Sequence, residues 1–270
     1  MAHKTLISGT AYSVTGGREL IGGTGYAKKK GRVLLNGTGY DIPFSSGIPI
    51  GTLPVGSVVK IGVNGKSYDF LVVNQGIPSN SILYDSSCDG TWLLMKDCYE
   101  KRAWSNDTSS KYEDSKVNTY LNGTFLNLID VDVRNAIKQI KIPYRSGGPG
   151  GTDYSGASGL SCKSFILAMN ETGWTTSNPN QFPNDGAKLA YFNESSGADQ
   201  KRIANLDGTP TSWWLRSPNK YSRGLAYNVS SNGVFGDEDE FATLGVRPAF
   251  TLPGTFPVIQ NPDGTYSPAA

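Results

Sequence analysis

Between residues 57 and 73 apolar and polar positions alternate: Val59, Ile61 and Val63 against Lys60 and Gly62, then Tyr68, Phe70 and Val72 beyond Asn64-Gly65. A period of two gives a strand one apolar face. Asn-Gly accepts positive φ at both residues, so the pattern predicts a hairpin. Trp92-Leu93-Leu94-Met95 and Phe165-Ile166-Leu167 are short unbroken apolar runs and predict buried strands. Helical spacing occurs twice, over Glu113–Leu121 and Val131–Ile140. In the second, Val133, Ile137 and Ile140 form one stripe, Asp130 can cap the start, Arg134 and Lys138 stay outside, and Pro143 ends the segment. Residues 145–159 read as a Gly-rich loop. The pattern predicts an α+β domain with few helices and many short strands.

The first 44 residues repeat every 14: Leu6, Leu20 and Leu34, then Gly9, Gly23 and Gly37, Thr10, Thr24 and Thr38, and Tyr12, Tyr26 and Tyr40. Each unit reads as a short apolar strand, a Gly-containing break and a Tyr-bearing strand, which is the punctuation of a hairpin. A module of this size cannot bury a core of its own. Association between chains, preferably as a trimer of prism-like modules, is the expected remedy, and a β-meander packed on the next domain is the alternative. The chain thus divides into a β-repeat module at 1–44, a Pro, Gly and Ser-rich linker at 45–52, a main domain at 53–252 and a tail at 253–270.

Composition narrows the function. With 18% charged residues, 33 Gly and 14 Tyr the chain is turn-rich and aromatic, and its net charge of +2 gives no footprint for nucleic acid. The one basic cluster, Lys28-Lys29-Lys30, is short. No apolar run approaches the roughly 20 residues needed to span a bilayer, so no membrane insertion is expected. The start carries no apolar signal core, which predicts synthesis and folding in the cytosol. Cys88, Cys98 and Cys162 are an odd set without CxxC spacing and fit reduced thiols better than a disulfide framework.

The single histidine, His3, precedes the first repeat, which argues against a Ser-His-Asp or Cys-His system and a His-ligated zinc site in the main domain. Gly22-Gly23-Thr24-Gly25 lacks the strand-to-helix context of a phosphate cradle and reads as a turn of the repeat. The sharpest contrast lies between Trp213 and Phe250. The flanks Trp213-Trp214-Leu215-Arg216-Ser217-Pro218 and Gly245-Val246-Arg247-Pro248-Ala249-Phe250 are dense in aromatic, Arg and Pro residues. Between them periodicity fails, which predicts a binding loop held by a scaffold. Within it Asp237-Glu238-Asp239-Glu240 offers carboxylates that could contact a ligand, hold calcium or work as a glycosidase pair, against the ordinary reading of a solvated acidic loop. Trp104-Ser105-Asn106-Asp107 is a weaker oxygen-ligand pattern, and no metal is predicted. Trp213, Trp214, Arg216, Arg247 and Phe250 read as framework, with an aromatic and cationic pocket as the alternative.

These flanks, with Thr91-Trp92-Leu93-Leu94-Met95-Lys96, Tyr120-Leu121-Asn122 and Ile140-Lys141-Ile142-Pro143-Tyr144-Arg145, resemble the variable proteins of diversity-generating retroelements, in the gut phage and bacterial branch with a C-type lectin-like domain. The resemblance spans roughly residues 50–252, and the Gly-Thr-Gly-Tyr repeats look like those preceding such domains in phage tail proteins. It implies a C-type lectin-like fold, related to that of the formylglycine-generating enzymes, behind a β-prism-like module. It also implies a homotrimeric receptor-binding tip on a phage tail, assembled in the host cytoplasm, that attaches to a host cell-surface protein or glycan. A bacterial surface adhesin or sensor is the first alternative and a glycan-active hydrolase the last. The carboxy-terminal half has only Cys162, so the cysteine-pair activity of the formylglycine-generating enzymes is not carried over; neither enzyme activity nor a cofactor is expected.

In that family selected Asn codons are randomised at their adenines while the frame stays fixed. The code makes Tyr221, Ser222, Arg223, Gly224, Leu225, Tyr227, Val234, Phe235, Gly236, Asp237, Asp239, Phe241, Ala242 and Thr243 reachable, and these are the expected ligand-binding positions within a variable region at 219–244. Lys220, Glu238 and Glu240 are not reachable from such codons. Tyr221, Arg223 and Phe235 are the expected anchors.

Overall fold

The computed structural model describes residues 47–79, 82–174, 181–192 and 198–269, with backbone alone at 198–199 and in six strands between residues 3 and 43. The side chains of residues 1–46, His3 and Lys28-Lys29-Lys30 among them, lie outside the described residues.

Each 14-residue repeat is one antiparallel hairpin: His3–Ile7 with Thr10–Val14, Glu19–Ile21 with Thr24–Tyr26, and Lys30–Leu35 with Thr38–Pro43. The register repeats with the sequence. Ile7 faces Thr10, Ile21 faces Thr24 and Leu35 faces Thr38, and each pair of strands is a two-stranded sheet of its own.

The rest of the chain is mostly β-sheet with a few short helices, an α+β arrangement. An eight-stranded sheet runs in the order Ser164–Phe165, Ala249–Leu252, Thr91–Met95, Lys66–Gln75, Val58–Val63, Tyr266–Pro268, Pro257–Gln260, Ile48–Pro49. Its centre is the expected hairpin, Val58–Val63 with Lys66–Gln75, closed by Asn64 at φ 50° and Gly65 at φ 72°. Both turn residues occupy the left-handed region that Asn and Gly tolerate. Val59, Ile61, Val63, Phe70 and Val72 are buried, as alternation requires. Thr91–Met95 is buried at every residue and pairs on both sides. The run Phe165-Ile166-Leu167 is fully buried, although the strand there stops at Phe165.

Three boundaries differ from the sequence pattern. The first helix starts at Lys116, where the Ser115 side chain accepts from Asn118 N, and Glu113 lies in a preceding single turn. It then continues past Leu121 through a π turn, Leu121–Phe125, to Leu128. Asn122 anchors this turn: its amide donates to Ser164 O and its side-chain oxygen accepts from Lys163 N and Ser164 N.

The second helix is shorter, Val131–Ala136. Ile137 leaves helical backbone, and Ile140 enters a strand, Ile140–Ile142, paired with Leu160–Cys162. Val133, Ile137 and Ile140 are all buried even so, which is how a stripe can mimic one helix while serving two elements. Asp130 occupies the cap position without a side-chain cap bond. The Gly-rich segment is also more ordered than a loop, because Tyr144–Ser146 pairs with Thr152–Tyr154 and Arg145 bridges to Asp153 at 2.8 Å.

The segment expected as a linker, 45–52, supplies from residue 48 an edge strand paired with Pro257–Val258 and a fully buried Ile50. The segment expected as a tail, 253–270, supplies two strands of the eight-stranded sheet. All three cysteines are free and buried. Burial pushes the Cys98 thiol up to about 11 and the Cys88 and Cys162 thiols up to about 12.

Candidate ligand-binding surface

A second sheet carries the region of contrast. Its order is Glu100–Ala103, Thr243–Val246, Trp213–Pro218, Leu225–Val229, Phe235–Asp239. Failing periodicity predicts a loop at 219–244, and here the structure differs: most of it is an antiparallel hairpin in register Leu225 to Asp239 through Val229 to Phe235. The strand pattern is concealed because Phe235–Asp239 is an edge with half-buried and exposed positions and no buried face.

The frame beneath is buried. All six residues of Trp213–Pro218 are buried. Four buried tryptophans each donate their indole N–H to a backbone oxygen: Trp92 to Cys88, Trp104 to Leu215, Trp213 to Arg202 and Trp214 to Arg102. A buried indole needs such a partner, and the bonds of Trp104, Trp213 and Trp214 also tie distant segments to the central strand. Arg216 is fully buried and spends all five donors, on Pro143 O, Ile166 O, Asp185 O and both oxygens of Glu171. Burial works against its charge, but Glu171 outweighs this and holds the guanidinium firmly protonated. Glu171 also accepts from Tyr84 OH and Ala168 N.

Among the described residues Arg247 has no carboxylate within ion-pair distance. Its Nε donates to Met95 O, its guanidinium lies 4.9 Å from the Trp213 ring centre, and burial pulls its pKa down to about 10. With Phe250 packed against Phe70 at 5.1 Å, all five residues expected as framework are core residues.

Four chain segments meet above this frame. Asn219 organises the first: its side-chain oxygen accepts from Tyr221 N and Ser222 N, and its amide donates to Asp237. Gly224 N donates to Ser110 Oγ, Gly224 O accepts from Glu240 N, and Glu240 O accepts from Ser105 N, which joins the 105–110 segment to the hairpin. Gly148 packs against Asn219 O and Ser222 O, so the 144–154 hairpin abuts the same place.

The expected ligand-binding residues divide by exposure. Tyr221 and Phe241 are 59% and 51% exposed, and Arg223, Asp237, Asp239 and Thr243 are exposed with them. Ser222, Leu225, Val234, Phe235, Gly236 and Ala242 are half-buried. Two do not face solvent. Gly224 is buried at φ 73°, and Tyr227 is only 4% exposed. Tyr227 belongs to an aromatic wall with Phe182 at 5.2 Å and Phe235 at 6.5 Å, while Phe235 also meets Trp174 at 4.8 Å. Phe235, expected as an anchor, is therefore largely engaged inside the protein. Burial first, then Asp237, raises the Tyr227 phenol to about 12.

The acidic run does not converge on one point. Asp237, Glu238 and Asp239 are exposed and alternate across the strand, whereas Glu240 is buried beside Ser110, with burial raising its pKa. Neither Glu240 oxygen has a well-aligned hydrogen-bond partner. Among the described residues no three His, Cys, Asp or Glu side chains come within reach of one metal ion. Trp174, Phe182, Glu171 and Asp185, which shape the wall and the frame, carry no local signal. Asn219 does, since Asn ahead of a polar turn commonly binds the backbone two residues on.

No curated protein and no solved structure matches the chain. The family model described as a domain of unknown function (DUF6273) matches residues 89–254, from the turn before Thr91–Met95 to just past the second flank. That match takes in the frame, the hairpin and every residue of the surface above them, and on it the chain belongs to the DUF6273 family.

Proposed function

We propose that this protein is a non-enzymatic receptor-binding protein that displays a variable surface on a fixed C-type lectin-like scaffold. It acts as the host-attachment tip of a phage tail and is trimeric through its amino-terminal repeats. The observation that carries the reading is the partition around Trp213–Phe250: flanks buried, exposed residues gathered on the hairpin and loops between them. Glu240, unreachable from a randomised Asn codon, is buried in the frame, as a fixed residue should be. Exposed Tyr221, Phe241 and Arg223 among small polar neighbours have the composition of adaptable binding surfaces. Three hairpins paired only within themselves are marginal alone, which supports association between copies. Three copies add avidity to weak single contacts.

Exchanging Tyr221, Arg223, Phe241 and Thr243 together for other code-reachable residues tests the reading. Binding to host cells should change while the melting temperature holds, and loss of the fold would count against a display surface. Sedimentation of the intact protein should give a trimer.

A further inference from the structure

Among the described residues the second sheet ends on Phe235–Asp239, paired there with Leu225–Val229 alone. Glu240 N bonds Gly224 O at one end of this pairing and Ser230 N bonds Val234 O at the other. Alternation then places the hydrogen-bonded pairs at Ala226 with Glu238 and Asn228 with Gly236. The N–H and C=O groups of Phe235, Asp237 and Asp239 therefore point away from the sheet. Those of Asp239 are used, its N–H by the Glu238 side chain and its C=O by Ala242 N. Among the described residues nothing bonds those of Phe235 and Asp237, two residues apart, which is the spacing an added strand uses.

Charge decides the occupant. Asp237, Glu238 and Asp239 are exposed, and among the described residues none of them has a cation within ion-pair distance. Acids on an edge strand repel a second copy of the same edge. They attract a strand of opposite sign, and half-buried Phe235 beside Trp174 offers such a strand an apolar contact.

We propose that the edge Phe235–Asp239 takes an extended, basic segment of a host surface protein as an added strand, so that the receptor is a protein and not a glycan. The inference rests on the display reading and names its partner class. Backbone bonds would supply affinity that survives changes in side chains, while the surrounding residues supply selectivity.

The test is selection of short displayed peptides, Lys-rich, neutral and acidic, against the intact protein, followed by amide hydrogen exchange. Lys-rich peptides should be enriched, their binding should weaken with salt, and the amides of Phe235 and Asp237 should become protected. Asp237→Pro removes one outward N–H at a position where an edge strand tolerates proline. It should cost about tenfold or more in affinity, against a few-fold for Asp237→Ala, which keeps the N–H. Should Asp237→Pro not fold, Asp237→Ala and the exchange pattern decide. Absence of basic binders, unchanged exchange at both amides, or wild-type affinity in Asp237→Pro overturns strand addition. A glycan ligand unaffected by Asp237→Pro overturns it too and leaves the display surface standing. Peptides indifferent to the combined exchange of Tyr221, Arg223, Phe241 and Thr243 and to Asp237→Pro would remove both readings.

Discussion

Arg216 and Glu171 meet through two parallel bonds of 2.6 Å with neither side chain exposed to solvent. They stand 45 residues apart in the chain, yet together they join the Trp213–Pro218 strand, which pairs with the Leu225–Asp239 hairpin, to the Ala168–Thr172 turn. A buried pair of this kind is weak evidence of net stabilisation over an apolar core, because desolvation offsets most of the attraction. Breaking it is another matter.

Glu171→Gln or Arg216→Met leaves the surviving partner buried without its counter-charge, and each should cost about 3–5 kcal/mol in denaturant unfolding. The double variant should cost less than the sum of the two singles. Additive costs would mean that the pair is not coupled.

Local pattern reaches the hairpin at Asn64-Gly65 and the buried strands because their signals are short-range: alternation, a turn dipeptide, an apolar run. It reaches the flanks for the same reason, and Trp213, Trp214, Arg216, Arg247 and Phe250, read there as framework, are all buried. It fails where one pattern serves two elements, as at Ile137 and Ile140, and where an edge strand has no buried face, as at Phe235–Asp239. The counter-ion of Arg216 and the wall formed by Trp174 and Phe182 depend on tertiary folding alone, so nothing near them in the chain announces them.

Asp185 gives a pH dependence. Its carboxyl is fully buried, neither oxygen has a well-aligned hydrogen-bond partner among the described residues, and burial, opposed by Arg216 and the nearby Ser217 hydroxyl, raises its pKa to about 7. A carboxyl raised in the folded state binds more protons folded than unfolded between its ordinary value and about 7, so it costs stability as pH rises through that window. Asp185→Asn cannot ionise. Its stability relative to the parent should climb between pH ~4 and ~8, by on the order of 3 kcal/mol, in paired unfolding curves. A flat difference would show that Asp185 titrates normally.

Exposure separates the proposed display residues from the buried flanks energetically. Tyr221→Ala and Phe241→Ala should each change unfolding free energy by less than about 0.5 kcal/mol, because both side chains stand largely in solvent. Trp214→Ala, which empties a dry site and orphans Arg102 O, should cost about 3–5 kcal/mol. Comparable costs at all three would mean that the surface residues are packed.

Gly224 tests where the proposed variable surface ends. It is one of the code-reachable positions expected to vary, yet it is buried at φ 73°, bonds Ser110 and Glu240 through its backbone, and lies against Thr108. Side chains with a Cβ are strained in that region, β-branched ones most, while Asn and Asp are tolerated. Gly224→Ala should cost about 1 kcal/mol or more, Gly224→Val more still, and Gly224→Asn least. If the position is diversified in nature, its working variants should therefore be drawn from Gly, Asn and Asp although the codon reaches many others. The turn would filter what mutation supplies. Equal stability for Gly224→Val and Gly224→Asn would show that the 105–110 segment yields, and would place Gly224 back among the freely varying contacts.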